Sequence, residues 1–263
     1  MRIICPVKRV PDTAAEKRID PSDWTVDRDA SEPILNANDE WSIEEAMRIK
    51  ERTDDTEVIA LCMGPDSAQQ TIRKALSYGL DGAIHVTDEA ISGSDALATA
   101  RVLAGALANE TFDLVLMGNQ SSDARTTLVP AMLAELLDLP ALTSVKYLEV
   151  DGHNLLAHRE TSVGHVVVET VGPAVVSVVE AINEPRYPSF KGIMAAKKKP
   201  LDARDLGAVD VDASMVGLEG SATAVLEIEP APPKEAGRKI DDDGSGQIGA
   251  EAVADWLVEQ KLL

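Results

Sequence analysis

Leu114-Val-Leu-Met-Gly118-Asn-Gln-Ser-Ser-Asp123-Ala-Arg-Thr-Thr127 joins a short apolar run to a polar loop, and a helical pattern near Ala131 to Leu137 follows. An apolar run of this length closed by glycine reads as a buried strand. The loop then lies at the carboxyl edge of a parallel sheet, where open α/β folds bind ligands. It offers hydroxyls, amides and the free N–H groups of a helix start to a phosphate. A plainer reading stands beside this one, in which Asp123 and Thr126 only cap the following helix.

Working outward, the same alternation repeats. Strands are expected near Ile3 to Val7, Val58 to Met63 and Ala83 to Val86. Between them the spacing predicts helices near Glu40 to Arg52, Ser67 to Tyr78 and Ala96 to Leu107, with Ile43, Ala46, Met47 and Ile49 turned inward. Asp66 and Asp95 are the expected caps of the last two. This is the pattern of an α/β fold with a parallel sheet covered on both faces. After the Leu114 unit, Tyr147 to Val150, Leu155 to His158 and Val166 to Thr170 alternate polar and apolar residues around Asp151-Gly152 and Gly164, which predicts antiparallel hairpin additions. Ala174 to Val179 is again an unbroken apolar strand. From Pro200 onward come Asp- and Gly-rich stretches, prolines at 230, 232 and 233, and an amphipathic helix near Ala250 to Leu262. The expected division is therefore a nucleotide-binding domain over residues 1–200 and a C-terminal arm over 201–263.

The 263 residues carry 25 basic and 45 acidic side chains, a formal charge of −20. That charge repels phosphate backbones and argues against nucleic acid or an anionic membrane as the main partner. Its spread along the chain suits a salt-adapted cytosol. The 44% hydrophobic content is enough for a proper core. The start, Met1 to Val7, is too short and too soon followed by charge for a signal peptide, and no run has transmembrane length, so a cytoplasmic location is expected. The two cysteines, Cys5 and Cys62, sit in apolar runs and read as buried structural thiols.

Asn36-Ala37-Asn38-Asp39 precedes the Glu40 helix and can cap it or line the same sheet edge as the Gly118 loop. Pro6 and Met63 end their strands at that edge as well. Four loops thus converge on one crevice. A second anomaly is Asn183-Glu-Pro-Arg-Tyr-Pro-Ser-Phe190-Lys-Gly-Ile-Met194-Ala-Ala-Lys-Lys-Lys199, which holds five of the basic residues and one acid, Glu184. Two prolines and a glycine predict an ordered, non-regular loop, with Tyr187, Phe190, Ile193 and Met194 as contact residues among charges. His85, His153, His158 and His165 are scattered, and no motif for a nucleophile, a metal or a phosphate-loop lysine occurs. The chain is thus expected to carry no catalytic set, so any chemistry comes from a cofactor.

The segments Val7-Lys-Arg-Val-Pro-Asp12, Glu44 to Lys50, Gly93-Ser-Asp95, Gly118-Asn-Gln120, Asn183 to Tyr187 and Gly192 to Lys199 resemble the β subunit of electron-transfer flavoproteins, in an acidic, haloarchaeal-like form. The resemblance reaches to about Pro200. It implies a Rossmann-like (HUP-type) adenine-nucleotide-binding fold and an α subunit that carries most of a shared FAD site. It also implies acyl-CoA and related dehydrogenases as electron donors and a quinone-linked oxidoreductase as acceptor. The implied nucleotide site of this chain comprises Pro6, Asn36, Ala37, Asn38, Asp39, Met63, Gly118, Asn119, Gln120, Ser121, Ser122, Asp123, Arg125, Thr126, Thr127, Leu128 and Val129. The implied partner-docking set is Glu184, Arg186, Tyr187, Phe190, Ile193, Met194, Lys197, Lys198 and Lys199, with Phe190 as anchor. Glu160 resembles a family acid near the subunit interface. Departures fall in the nucleotide loop, where Arg125 replaces an acid, Pro130 follows, and Asn38 stands for an aromatic. An arginine suits a pyrophosphate, so the implied ligand is AMP or, as in bifurcating relatives, a second FAD. The competing class is a stand-alone, universal-stress-like adenine-nucleotide module, which has no use for residues 183–199. A third, an enzyme acting on an adenylate, lacks a visible set of reactive side chains.

Overall fold

The computed structural model describes residues 1–229, 232, 237 and 239–263. Of the expected proline cluster, Pro230 and Pro233 lie outside the described residues. The first compact unit, Met1–Leu226, is built on a nine-stranded sheet. Its strands are β1 (Arg2–Pro6), β2 (Glu57–Met63), β3 (Gly82–Val86), β4 (Leu114–Gly118), β5 (Ala141–Asp151), β6 (Asn154–Thr161), β7 (Gly164–Val171), β8 (Ala174–Val178) and β9 (Leu201–Arg204). They lie in the order β7-β6-β5-β8-β4-β1-β2-β3-β9. All pairings from β5 to β9 across the sheet are parallel, and β6 and β7 extend it as an antiparallel wing.

Period-two side chains decide what covers each face. Ile3 and Cys5 of β1, Val58, Ala60 and Cys62 of β2, and Leu114 and Leu116 of β4 share one core cluster. The intervening Ile4, Ile59, Leu61, Val115 and Met117 belong to the other. Helices α1 (Ala37–Arg52) and α2 (Gln69–Leu76) cover the first face with Ile43, Ala46, Ile49, Ile72 and Leu76. Helices α3 (Ala96–Ala108) and α4 (Val129–Leu136) cover the second with Ala98, Val102, Leu107 and Leu133. Because both faces are buried, the parallel strands read as continuous apolar runs. Cys5 and Cys62 are free and buried, and burial pushes both thiols up, Cys62 to about 12.

Asp95 caps α3 as expected, accepting the Ala98 N–H at 2.8 Å. Asp66 does not cap α2. The chain enters that helix through a 3-10 turn, Asp66–Ala68, with Pro65 in the cap position and its carbonyl accepting the Ala68 N–H, so the aspartate lies inside the first turn rather than before it. The expected non-regular loop at 183–199 also differs: α5 (Phe190–Ala196) is helical, capped by the Ser189 hydroxyl on the Gly192 N–H at 3.0 Å. The expected boundary at 200/201 falls inside the first unit, since β9 pairs with β3 and Leu206, Val209 and Val216 are buried in the second cluster. The second unit, Glu227–Leu263, contains α6 (Gln247–Glu259), whose start is held by Asp242 accepting the N–H groups of Gly246 and Gly249. Ile248, Val253 and Trp256 of α6 are exposed.

Candidate functional site: a switch-point cleft and a pinned apolar segment

From β1 the chain builds outward through β2 and β3, then returns to place β4 on the other side of β1. Loops leaving β1 and β4 therefore part in opposite directions, and the crevice between them is where open sheets bind ligands. A cleft of about 1270 Å³ opens there. It is lined by Pro6 after β1, Asn36 and Asp39 at the start of α1, and Met63 after β2. Gly118, Asn119, Gln120 and Ser121 follow from the β4 loop, and Thr126, Thr127, Leu128 and Val129 from the start of α4. Of the other expected residues, Ala37 is exposed and Asn38 half-buried at the start of α1, and Ser122, Asp123 and Arg125 stand behind or outside the lining.

Asn36 does not cap α1. It is only 1% exposed, and its side chain is a strut across the cleft floor. Nδ2 donates to Asp39 Oδ1 at 2.8 Å and to the Gln120 carbonyl at 3.0 Å, while Oδ1 accepts the Ser122 N–H at 3.1 Å. Asp39 Oδ2 in turn accepts the Lys8 N–H at 2.7 Å. Burial raises Asp39 to about 7 against the opposing pull of Asn36 and the Lys8 N–H. The approach of α1 to β4 is close enough to require glycine: a Cβ on Gly118 would lie 2.7 Å from the Asn38 carbonyl carbon.

Asp123 and Thr126 are not caps either. Helix α4 begins at Val129 with Leu128 at the N-cap and no side-chain cap, too far along the chain for Asp123. The Asp123 carboxylate instead receives Lys8 Nζ at 2.9 Å and Arg28 Nε at 2.8 Å. Arg125 and Thr127 have φ of 52° and 57°, left-handed backbone of the kind that lets neighbouring N–H groups converge on an anion. The N–H groups of Thr126 and Thr127 find no acceptor among the described residues. The buried Ser122 hydroxyl also has no partner there.

The segment from Asn183 to Lys199 is fixed at its base and open at its face. Asn183 Nδ2 donates to the Trp41 carbonyl at 3.0 Å, and Arg186 Nε to Glu44 at 2.7 Å, with a further tie to Glu51. Those two carboxylates hold the Arg186 guanidinium well above its ordinary pKa. A Cβ on Gly192 would collide with the Ser77 carbonyl oxygen, so α5 lies directly on the end of α2. Arg73 donates to the Ala196 and Lys199 carbonyls, and Lys199 Nζ to the Leu80 carbonyl. Arg186 and Lys199 are therefore committed to their own chain. Tyr187 is 96% and Phe190 80% exposed, Ile193 and Met194 are about half exposed, and Glu184, Lys197 and Lys198 face solvent. Glu160 is not brought to this segment. It lies on β6 in the wing, 4.0 Å from Lys146, while Arg159 donates to Thr143. Sequence reasoning missed Arg28 and the ionic part played by Lys8, because their common partner lies about a hundred residues away in the chain.

An electron transfer flavoprotein domain matches residues 23–209. The chain is 43% identical to the electron transfer flavoprotein subunit beta of Mycobacterium leprae, with 99% of both chains covered. It is 35% identical to that of Megasphaera elsdenii over the whole of both. Against the Caffeyl-CoA reductase-Etf complex subunit CarD of Acetobacterium woodii it is 33% identical, with 97% of each covered. With a family match over residues 23–209 and beta-subunit relatives aligned over nearly the whole of both chains, this chain belongs to the electron transfer flavoprotein family, on its beta-subunit side.

Proposed function

We propose that this chain is the nucleotide-holding, partner-docking subunit of a heterodimeric flavin electron carrier. In this reading electrons pass from acyl-CoA-type dehydrogenases, through an FAD shared with an alpha subunit, to a quinone-linked acceptor. The observation that carries it is the joining, by one helix, of a switch-point cleft and an exposed apolar segment. Helix α1 holds the cleft through Asn36 and Asp39 and the segment through Glu44 and Glu51.

The cleft residues fit an adenylate, either AMP or that half of a second FAD. Thr126 and Thr127 offer amides and Ser122 an unpaired hydroxyl beside the helix start, where a phosphate is favoured. When bound, FAD supplies one- and two-electron chemistry. The residues of this chain bind and orient. Phe190 and its neighbours seat a dehydrogenase, and Lys191, Lys197 and Lys198 speed encounter with an acidic rim. Exposed Val163, Val166, Val167 and Val171 of the wing, and the apolar side of α6, are the surfaces offered to the alpha subunit. No described helix is long and apolar enough to cross a membrane. A cytoplasmic, salt-adapted setting fits the charge of −20.

The test is to denature the purified two-subunit protein and separate the released nucleotides. One FAD with either AMP or a second FAD is expected, together with reduction by an acyl-CoA dehydrogenase. A single FAD with no other adenylate overturns the cleft assignment. Absence of reduction by any acyl-CoA dehydrogenase overturns the donor class.

A further inference from the structure

We propose that Lys8 and Arg28 are the cationic centre that receives the ligand's phosphate in the cleft, that Asp123 is the positioning residue holding both cations there, and that Arg28 arrives on a strap, residues 12–32, which closes over the phosphate. This deepens the adenine-nucleotide reading and rests on it.

Asp123 sits behind the two cations. Its side chain is fully buried, whereas Lys8 and Arg28 are each 37% exposed and line the cleft. Lys8 Nζ lies 2.9 Å from Oδ1, and Arg28 Nε and a terminal nitrogen lie 2.8 Å from Oδ2. Burying a carboxylate is costly unless it is paired and hydrogen-bonded, and two cations satisfy it with one positive charge to spare. Burial pushes the carboxyl up, but Lys8 and Arg28 outweigh it and keep Asp123 ionised well below the usual carboxylate range. Lys8 Nζ also donates to the Ser121 hydroxyl at 3.3 Å, which ties the surplus charge to the loop with the free amides.

The rest of the lining points to the same spot by exclusion. Asp20, Asp23, Asp27, Asp66 and Asp88 line the cleft and repel a phosphate, while the third lining cation, Arg9, is buried and paired with Asp29. The positive centre of the described lining is therefore beside residues 121–128. The strap is lightly built. A ribbon of Arg9–Pro11 with Pro33–Leu35 forms its base and a two-residue ribbon, Arg18–Ile19 with Val26–Asp27, its far part. Among the described residues its side-chain ties to other elements are Arg28 to Asp123 and Asp29 to Arg9. A ligand phosphate at the loop adds a second anion for Arg28 to bind, so occupancy holds the strap down.

The test uses the complete two-subunit protein, freed of its second nucleotide, with AMP and adenosine as paired probes by calorimetry. Arg28→Gln is expected to weaken AMP about ten- to a hundred-fold, the range for a lost charged hydrogen bond, and to leave adenosine unchanged. Asp123→Asn is expected to speed AMP release and to make strap residues exchange amide hydrogens faster. Should Arg28→Gln fail to fold, Arg28→Lys serves, since a lysine cannot give the bidentate contact. If the ratio of AMP to adenosine affinity is the same in the variant as in the wild type, the proposal is wrong. If the wild type binds neither probe, the nucleotide reading itself has failed instead.

Discussion

The cleft and the exposed segment of residues 183–199 invert the usual partition of side chains in opposite ways. The cleft buries charge: Asp39 and Asp123 lie inside, each neutralised or hydrogen-bonded by groups of the same chain. The segment exposes hydrophobes, with Tyr187 and Phe190 almost wholly in solvent. Helix α1 touches both regions, with Asn36 and Asp39 at its start in the cleft and Glu44 and Glu51 further along holding Arg186. The lesson is that burial sorts the expected site residues into two classes. Arg186 and Lys199 belong with Asn36 and Asp39, as groups that hold the frame, and only the exposed apolar residues and free lysines remain for a partner.

The two regions can be broken separately. Gly118→Ala should have the largest effect, about 3 kcal/mol of stability, because its Cβ would lie 2.7 Å from backbone and side-chain atoms of Asn38 at the cleft. Urea unfolding measures the loss, and the bound adenylate should fall with it while reduction per remaining FAD stays normal. Arg186→Met should cost roughly 2 kcal/mol, since it leaves Glu44 buried with a weaker set of partners. Burial pushes Glu44 up, but Arg186 brings its pKa below the ordinary 4.5, so this contribution is present above that pH and lost as the pH falls below it. Equal stability of variant and wild type at pH 7 would show that the segment needs no such base.

Phe190→Ala should leave fold, FAD and adenylate intact and weaken dehydrogenase docking by about 2 kcal/mol, read as slower reduction at limiting concentration. Loss of FAD along with the rate would place Phe190 in the frame instead. The smallest effect sharpens the cleft. Asp39 titrates near 7 when folded against an ordinary 3.8, so the folded state binds the extra proton and stability declines as pH rises between those values. Asp39→Asn should flatten that slope by about 1 kcal/mol between pH 5 and 6, seen in melting curves, and a slope equal to that of the wild type would contradict it.

How much of this was legible depended on range. The parallel strands were readable because burial on both faces leaves uninterrupted apolar runs such as Val115-Leu116-Met117. Strand β9 was not, since Leu201-Asp-Ala-Arg204 is a sheet edge with little to bury. Helix α5 was hidden behind its prolines and glycine, although Ser189 is an ordinary cap signal. Asn36 and Asp123 look like caps from the sequence because short polar residues before a helix usually are. Their partners, Gln120 for one and Lys8 and Arg28 for the other, are 84 or more residues away, and no local pattern announces them.

Residues 179–200 leave the sheet at β8 and rejoin it at β9, passing β4, β1, β2 and β3 on the way. Five inter-strand spacings of about 4.8 Å make this crossing roughly 24 Å wide. The bridge is thus tethered at both banks of the same sheet, and between them it is pinned to α1 through Arg186 and to α2 through Arg73. That span sets the least length of chain able to join the two strands, so a shortening of the bridge pulls on both ends at once. Across descendants of this chain, deletions between residues 179 and 200 should therefore stay rare.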